Sequence, residues 1–302
     1  MINASNAALG TGEERMTVRN MPFEFLPRSQ SWNTDKPEFA HIVNSASLAM
    51  PYLEPYLIKS MRKARPLIKD AALEAELDKY IKQEATHYRR HKEFNDTLSD
   101  KGYTTVAFLE QRLADDYAKL ESKRSLKFNL AYAEGFESMA LAIGEMLIED
   151  REYLFGHSDS AVASLILWHF VEEIEHKNVA FDVFDHLYGS YFWRIVGLVY
   201  ATSHIFWRTG QGYRALLKED GLWKSTSSRW RLLKVLGRVL GNIAPKWLRI
   251  LRPGYHPQSV KDPDWGIAWA AVFDTGTENM AQLDTRRLSE AVPAGEAQGV
   301  NS

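Results

Sequence analysis

Cysteine is absent from the 302 residues, which excludes disulfides, thiolate metal ligands and a cysteine nucleophile. Any metal must therefore be held through oxygen and nitrogen. Apolar and polar residues nowhere alternate over a length that predicts a strand, so the fold class expected is all-α. The most apolar stretch, YFWRIVGLVYATSHIFWRT at Tyr191 to Thr209, offers only the thirteen residues from Ile195 to Trp207 between polar interruptions. That is too short to span a bilayer and predicts a buried or interfacial helix. The first twenty residues lack a basic start and an apolar run of signal-peptide length, which predicts a cytoplasmic chain. A Gly-rich strand-to-helix turn of the nucleotide-binding kind is also missing.

With 45% hydrophobic residues the chain can bury a full core. Its net charge of −2 is unevenly spread. Between Leu222 and Arg252 stand eight basic residues (Lys224, Arg229, Arg231, Lys234, Arg238, Lys246, Arg249 and Arg252) and no acid, so the remainder carries −10. Here SRWRLLKVLGRVLGNIAPKWLRILR sets leucines and valines against Arg229, Lys234 and Arg238, with Trp230 and Trp247 as candidate anchors. Two expectations stand side by side: a helix lying on anionic lipid at the inner face of the membrane, or a helix packed on the body with a basic outer face. Nucleic acid is not expected, because no recognition motif accompanies the charge.

Acids and histidines recur at helical spacing inside otherwise apolar sequence. WHFVEEIEHKNVAFD, Trp168 to Asp182, sets Glu173 and His176 three apart on one helical face, with His169 four before Glu173. QEATHYRRH, Gln83 to His91, repeats the arrangement with Glu84, His87 and, four further on, His91. The organisation expected is an irregular arm over 1–36 and a helical body over 37–190, then apolar and basic helices over 191–257 and a mostly irregular or disordered tail over 258–302, in which a short apolar piece, DWGIAWAAVFD, precedes a polar, disordered part from Thr275. The first body helix starts at Pro37 and should bend or break near Glu54 between Pro51 and Pro55. The second runs from Asp70, its N-cap, to about Leu98. The third covers Ser125 to Glu149 with Glu134 and Glu137 on one face. The fourth covers Ser158 to Leu187, with Gly156 before it and Gly189 beyond its end.

One Glu, a Glu-x-x-His, one Glu and a second Glu-x-x-His, in that order on four helices, is the donor pattern of carboxylate-bridged dimetal bundles. Glutamates Glu54, Glu84, Glu134 and Glu173 would neutralise two divalent cations, and His87 and His176 would complete the coordination. The oxygen and nitrogen donors suit iron, with manganese or zinc as alternatives. His91 and His169 are extra ligands or outer hydrogen-bond donors, with the outer role preferred.

At these residues the chain resembles the bacterial predicted metal-dependent hydrolases with a ferritin-like helical core. The resemblance rests on QEATHYRRHKEFN, on WHFVEEIEHKNVAFDV and on PGYHP at Pro253 to Pro257, and it spans roughly Phe23 to Pro257. It implies a ferritin-like four-helix bundle with a dimetal site, followed by additional C-terminal helices. In the broader ferritin-like class an acid often precedes each Glu-x-x-His and orients a histidine; Glu172 and Gln83 hold those places here. The chain departs from the family at Leu53-Glu54-Pro55, and at Gly135 and Glu137 after the third-helix Glu. That leaves the third-helix ligand between Glu134 and Glu137, with Glu134 preferred. Three functions are weighed. The leading one is an O2-dependent oxidoreductase acting on an apolar, lipid-like substrate and served by an electron donor protein. Second is a metal-dependent hydrolase with Glu137 or Glu175 as general base. Third is metal storage or a metal-stabilised scaffold.

Overall fold

A computed structural model describes residues 16–26, 31–274 and 278–294. Among them the chain is all-helical, apart from one antiparallel bridge between Leu283 and Pro293. The helices are α1 (Pro37–Ser47), α2 (Met50–Ala64), α3 (Ala71–Asp100), α4 (Val106–Lys123), α5 (Leu126–Glu149), α6 (Arg151–Phe155), α7 (Ser160–Glu175), α8 (Val179–Tyr188), α9 (Tyr191–Glu219), α10 (Thr226–Ile250) and α11 (Asp264–Asp274).

Local chemistry sets several of these ends. Asp70 caps α3 by accepting from the backbone N–H groups of Ala72 and Leu73, and Ser125 and Asp159 cap α5 and α7 in the same way. Gly189 leaves α8 in the left-handed region at φ 51°, where a side chain would be strained. α5 is buried on nearly every face and is wrapped by α2, α7, α8, α9 and α10. Each of its fully buried leucines, such as Leu130, contributes about 1.5–3 kcal/mol.

Three expected elements end elsewhere. The first body helix breaks at Leu48–Ala49 rather than near Glu54: Pro51 falls in the first turn of α2, where its missing N–H costs nothing, and Pro55 is carried inside the helix. The fourth is not continuous. It stops at His176 and resumes at Val179, and in the turn between them Lys177 donates to the Val260 carbonyl and to Asp262. The tail is ordered over 278–294, because Met280, Leu283 and Leu288 are buried and Arg151 donates to the Leu288 and Ser289 carbonyls. Residues 295–302 and 1–15 lie outside the described residues.

The basic stretch forms α10, packed against α5 and α1. Four of its cations pair with acids of the body, Arg231 with Glu38, Arg238 with Asp150, Lys246 with Glu149 and Arg249 with Glu145. No helix among the described residues is long and apolar enough to cross a membrane.

α5 and α9 cross at two glycines. A Cβ on Gly197 would lie 1.8 Å from the Ala131 carbonyl oxygen, and one on Gly135 would lie 2.3 Å from the Leu198 nitrogen. Gly197→Ala should therefore destabilise the fold by about 1–3 kcal/mol, even after the roughly 0.5–1 kcal/mol that alanine gains over glycine within a helix. Thermal unfolding checks this; an unchanged midpoint would mean that the two backbones are not in contact.

Candidate metal centre

Glu54 from α2, Glu84 and His87 from α3, Glu137 from α5, and His169, Glu173 and His176 from α7 and its C-terminal cap converge in the interior, each with side chain almost wholly buried. The donor atoms form two groups, Glu54–His87–His169 and Glu84–Glu137–Glu173–His176, and within each group all lie within 4.8 Å of one another. Glu173 faces both: Oε1 is 2.9 Å from His169 Nε2 and 3.7 Å from His87 Nδ1, while Oε2 is 3.2 Å from His176 Nε2. Glu84 Oε1 likewise lies 3.7 Å from His87 Nδ1 and 3.4 Å from His176 Nε2.

The hydrogen-bond network assigns the tautomers. Gln83 uses its amide N–H groups on the Thr17 carbonyl and on Glu175, which turns its oxygen to accept from His176 Nδ1 at 3.0 Å. His87 donates from Nε2 to Glu172 at 3.0 Å. Ser47 donates to Asn95 and so accepts from His91 Nδ1; His91 Nε2 in turn accepts from His169 Nδ1 at 2.6 Å. In the neutral tautomers that this network fixes, the lone pairs lie on His176 Nε2, His87 Nδ1 and His169 Nε2, and all three face carboxylates. Both oxygens of Glu54 and of Glu84, Glu137 Oε2 and His87 Nδ1 are buried and make no hydrogen bond. Acceptors facing acceptors in a dry interior call for protons or cations between them. The residues present therefore fit divalent metal binding.

Burial, and then repulsion from neighbouring carboxylates, pushes the acids of Glu54 and Glu137 well above the ordinary range and that of Glu84 to about 8. Burial also disfavours charge on Glu173 and His176, but their mutual attraction outweighs it, holding Glu173 well below the carboxylate range and His176 well above the imidazole range. In the metal-free chain the folded state consequently keeps protons on Glu54, Glu84 and Glu137 that the unfolded chain, with carboxyls near 4.5, has released. That stability is present at low pH and is lost as pH rises from about 4.5 through 8. Glu173 acts in the opposite sense, as do His91 and His169, whose imidazoles burial holds below the usual range, while His176 adds to the loss. The melting temperature of chelator-treated protein is expected to fall between about pH 5 and 8, and metal affinity to rise over the same window as cations displace those protons. A melting temperature that rises across this range would contradict the arrangement.

The expected residues divide between the centre and its surroundings. Glu137, weighed as a general base, joins the donor cluster, where the Tyr80 hydroxyl donates to its Oε1 at 2.7 Å. Glu134, the preferred third-helix ligand, does not join it: the helix turns its carboxylate away, to accept from Ser138 at 3.0 Å and to face Arg194. His169 lies among the donors rather than outside them, and His91 stands behind it. Glu175 faces no open space. Arg19 grips both its oxygens at 2.6 and 2.9 Å, and Gln83 and the Thr17 N–H complete its shell. Glu172 accepts from Trp168, His87 and the same arginine.

Arg19 has no counterpart in the sequence reading. It sits in the non-helical arm, 2% exposed, against Trp269 and Phe273 of α11. Through Glu172 it reaches His87, and through Glu175 and Gln83 it reaches His176, so one side chain braces the terminal histidine of each donor group. The arm has no helical period that would place Arg19 near them; the only hint is that the acids Glu172 and Glu175 stand in apolar sequence and need a cation.

No curated protein and no solved structure matches the chain. A family model described as "Predicted metal-dependent hydrolase" matches residues 17–261, from beside Arg19 through both Glu-x-x-His segments to the turn beyond α10, and the chain belongs to that family.

Proposed function

We propose that the chain is a dimetal hydrolase built on a ferritin-like bundle of α2, α3, α5 and α7–α8. Glu54, His87 and His169 hold one cation, Glu137 and His176 hold the other, and Glu84 and Glu173 are shared. The observation that carries this is the set of three inward lone pairs with buried, unbonded carboxylates. When bound, such a pair lowers the pKa of a water and polarises an ester or phosphoryl oxygen. The chain's own part is to fix that charge. Glu172 and Gln83 hold the distal N–H of His87 and His176, His91 holds that of His169, and Tyr80 orients Glu137. Membership of the family supports hydrolysis, and turnover of ester or phosphoester probes that tracks metal content tests it.

A second reading, O2-dependent oxidation of an apolar, lipid-like substrate with an electron donor protein, is favoured by one observation. Glu172 and Glu175, which flank Glu173 and His176 in the chain, are both tied up in the Arg19 network, so neither is free to act as a separate general base. Metal-dependent oxygen uptake without probe hydrolysis would select it. Bound metal well above two ions per chain would instead indicate storage.

The third-helix assignment is separable from the reaction. Glu137→Ala should lose at least one of the two cations, whereas Glu134→Ala should keep both, by elemental analysis of purified protein. The reverse result would restore Glu134 as the ligand.

A further inference from the structure

We infer that the outward face of α10 docks on an anionic lipid surface. At 100° per residue, Trp230, Leu233, Gly237, Leu240, Gly241 and Leu248 fall within about 100° of one another on that helix. The four large side chains are 67%, 58%, 57% and 64% exposed, in chain order. At both glycines a Cβ would meet nothing within 4 Å, so no described part of the chain covers the stripe there. The opposite side buries Val235, Ile243 and Ile250 against the body.

The charges are sorted in the same way. Four of the eight cations between Leu222 and Arg252 neutralise acids of the body. Lys224, Arg229, Lys234 and Arg252 are exposed and pair with no acid among the described residues, and no acid lies within the segment. Arg229 and Lys234 border the apolar stripe on its two edges. An apolar strip edged by cations matches a surface with acyl chains below and phosphates above. A second copy of the chain fits it less well, because a two-fold pairing of this face would bring its cations toward like charges. The association is peripheral, and the face does not depend on the metal centre.

The test uses the full chain and vesicles of phosphatidylcholine, with or without phosphatidylserine. Co-sedimentation is expected with the anionic vesicles only and should be reversed by salt. Arg229→Glu with Lys234→Glu should lower the partition coefficient at least about tenfold, and Leu233→Ser with Leu240→Ser should lower it as well. Because these positions are exposed, both variants should keep the wild-type unfolding temperature. The inference is overturned by absence of binding to anionic vesicles, by equal binding to neutral ones, or by binding that neither double variant changes. It is also overturned if sedimentation velocity finds a wild-type dimer that Leu233→Ser with Leu240→Ser dissolves, since the face then belongs to a second copy.

Discussion

Alanine in place of Glu173 is expected to yield a chain that retains neither cation. Glu173 sends one carboxylate oxygen toward each donor group, 2.9 Å from His169 and 3.2 Å from His176. Its removal takes a donor from both positions at once and leaves Glu54, Glu84 and Glu137 facing one another across a dry space. Breaking a buried charged cluster by deleting one partner costs about 3–5 kcal/mol. Metal affinity should fall beyond the 10–100-fold typical of lost outer-shell contacts, because a direct donor is gone. Metal counting alongside thermal unfolding, with and without added cation, reads both effects. Wild-type stability is also predicted to rise on metal addition, and that of Glu173→Ala to stay where it was. Retention of two cations by Glu173→Ala would remove this residue from the shared position.

Arg19→Met should be nearly as damaging although Arg19 touches no donor atom of either cluster. The arginine is fully desolvated between Glu172 and Glu175, whose side chains are equally buried. Methionine fills much of the volume but leaves two carboxylates facing each other without a cation, at a cost of about 3–5 kcal/mol. The second effect is on the metals. His87 loses a fixed Glu172 and His176 loses a fixed Gln83, so both imidazoles are free to turn, and affinity should drop about 10–100-fold at each position. Arg19→Lys keeps the charge but cannot bridge both acids with a planar fork, so it should recover stability more than affinity. Competition titration against a chelator separates the two quantities. Equal metal affinity in Arg19→Met and wild type would confine Arg19 to a structural role.

How much of this was legible in the sequence depends on which physical signal each residue sends. The two Glu-x-x-His segments declare themselves through spacing alone, because three residues on a helix always share a face, and the all-α class follows from the same periodicity. The choice between Glu134 and Glu137 depends on how α5 is rotated about its own axis. Since α5 is buried on nearly every side, its apolar pattern carries no information about that rotation. The Gly135–Gly197 crossing, visible only when the two helices are brought together, sets which side of α5 meets α9. His169, read as an extra ligand or an outer donor with the outer role preferred, groups with Glu54 and His87, and the choice was hidden for a related reason. Its distance from Glu173 is evident, but its tautomer is imposed by His91, Ser47 and Asn95 from α3 and α1. The ion pairs of α10 with the body were likewise invisible, since Glu38, Asp150, Glu149 and Glu145 lie at least 80 positions away in the chain. Arg19 sends no local signal at all; only the count of buried acids demands it.

An anomalous difference map from crystals grown with manganese or iron, collected at the absorption edge of that metal, tests the dimetal assignment most directly. Two peaks are expected, one bounded by Glu54, His87 and His169 and the other by Glu137 and His176, with Glu84 and Glu173 between them. A map without peaks at these residues, or with metal bound only elsewhere on the chain, would contradict it.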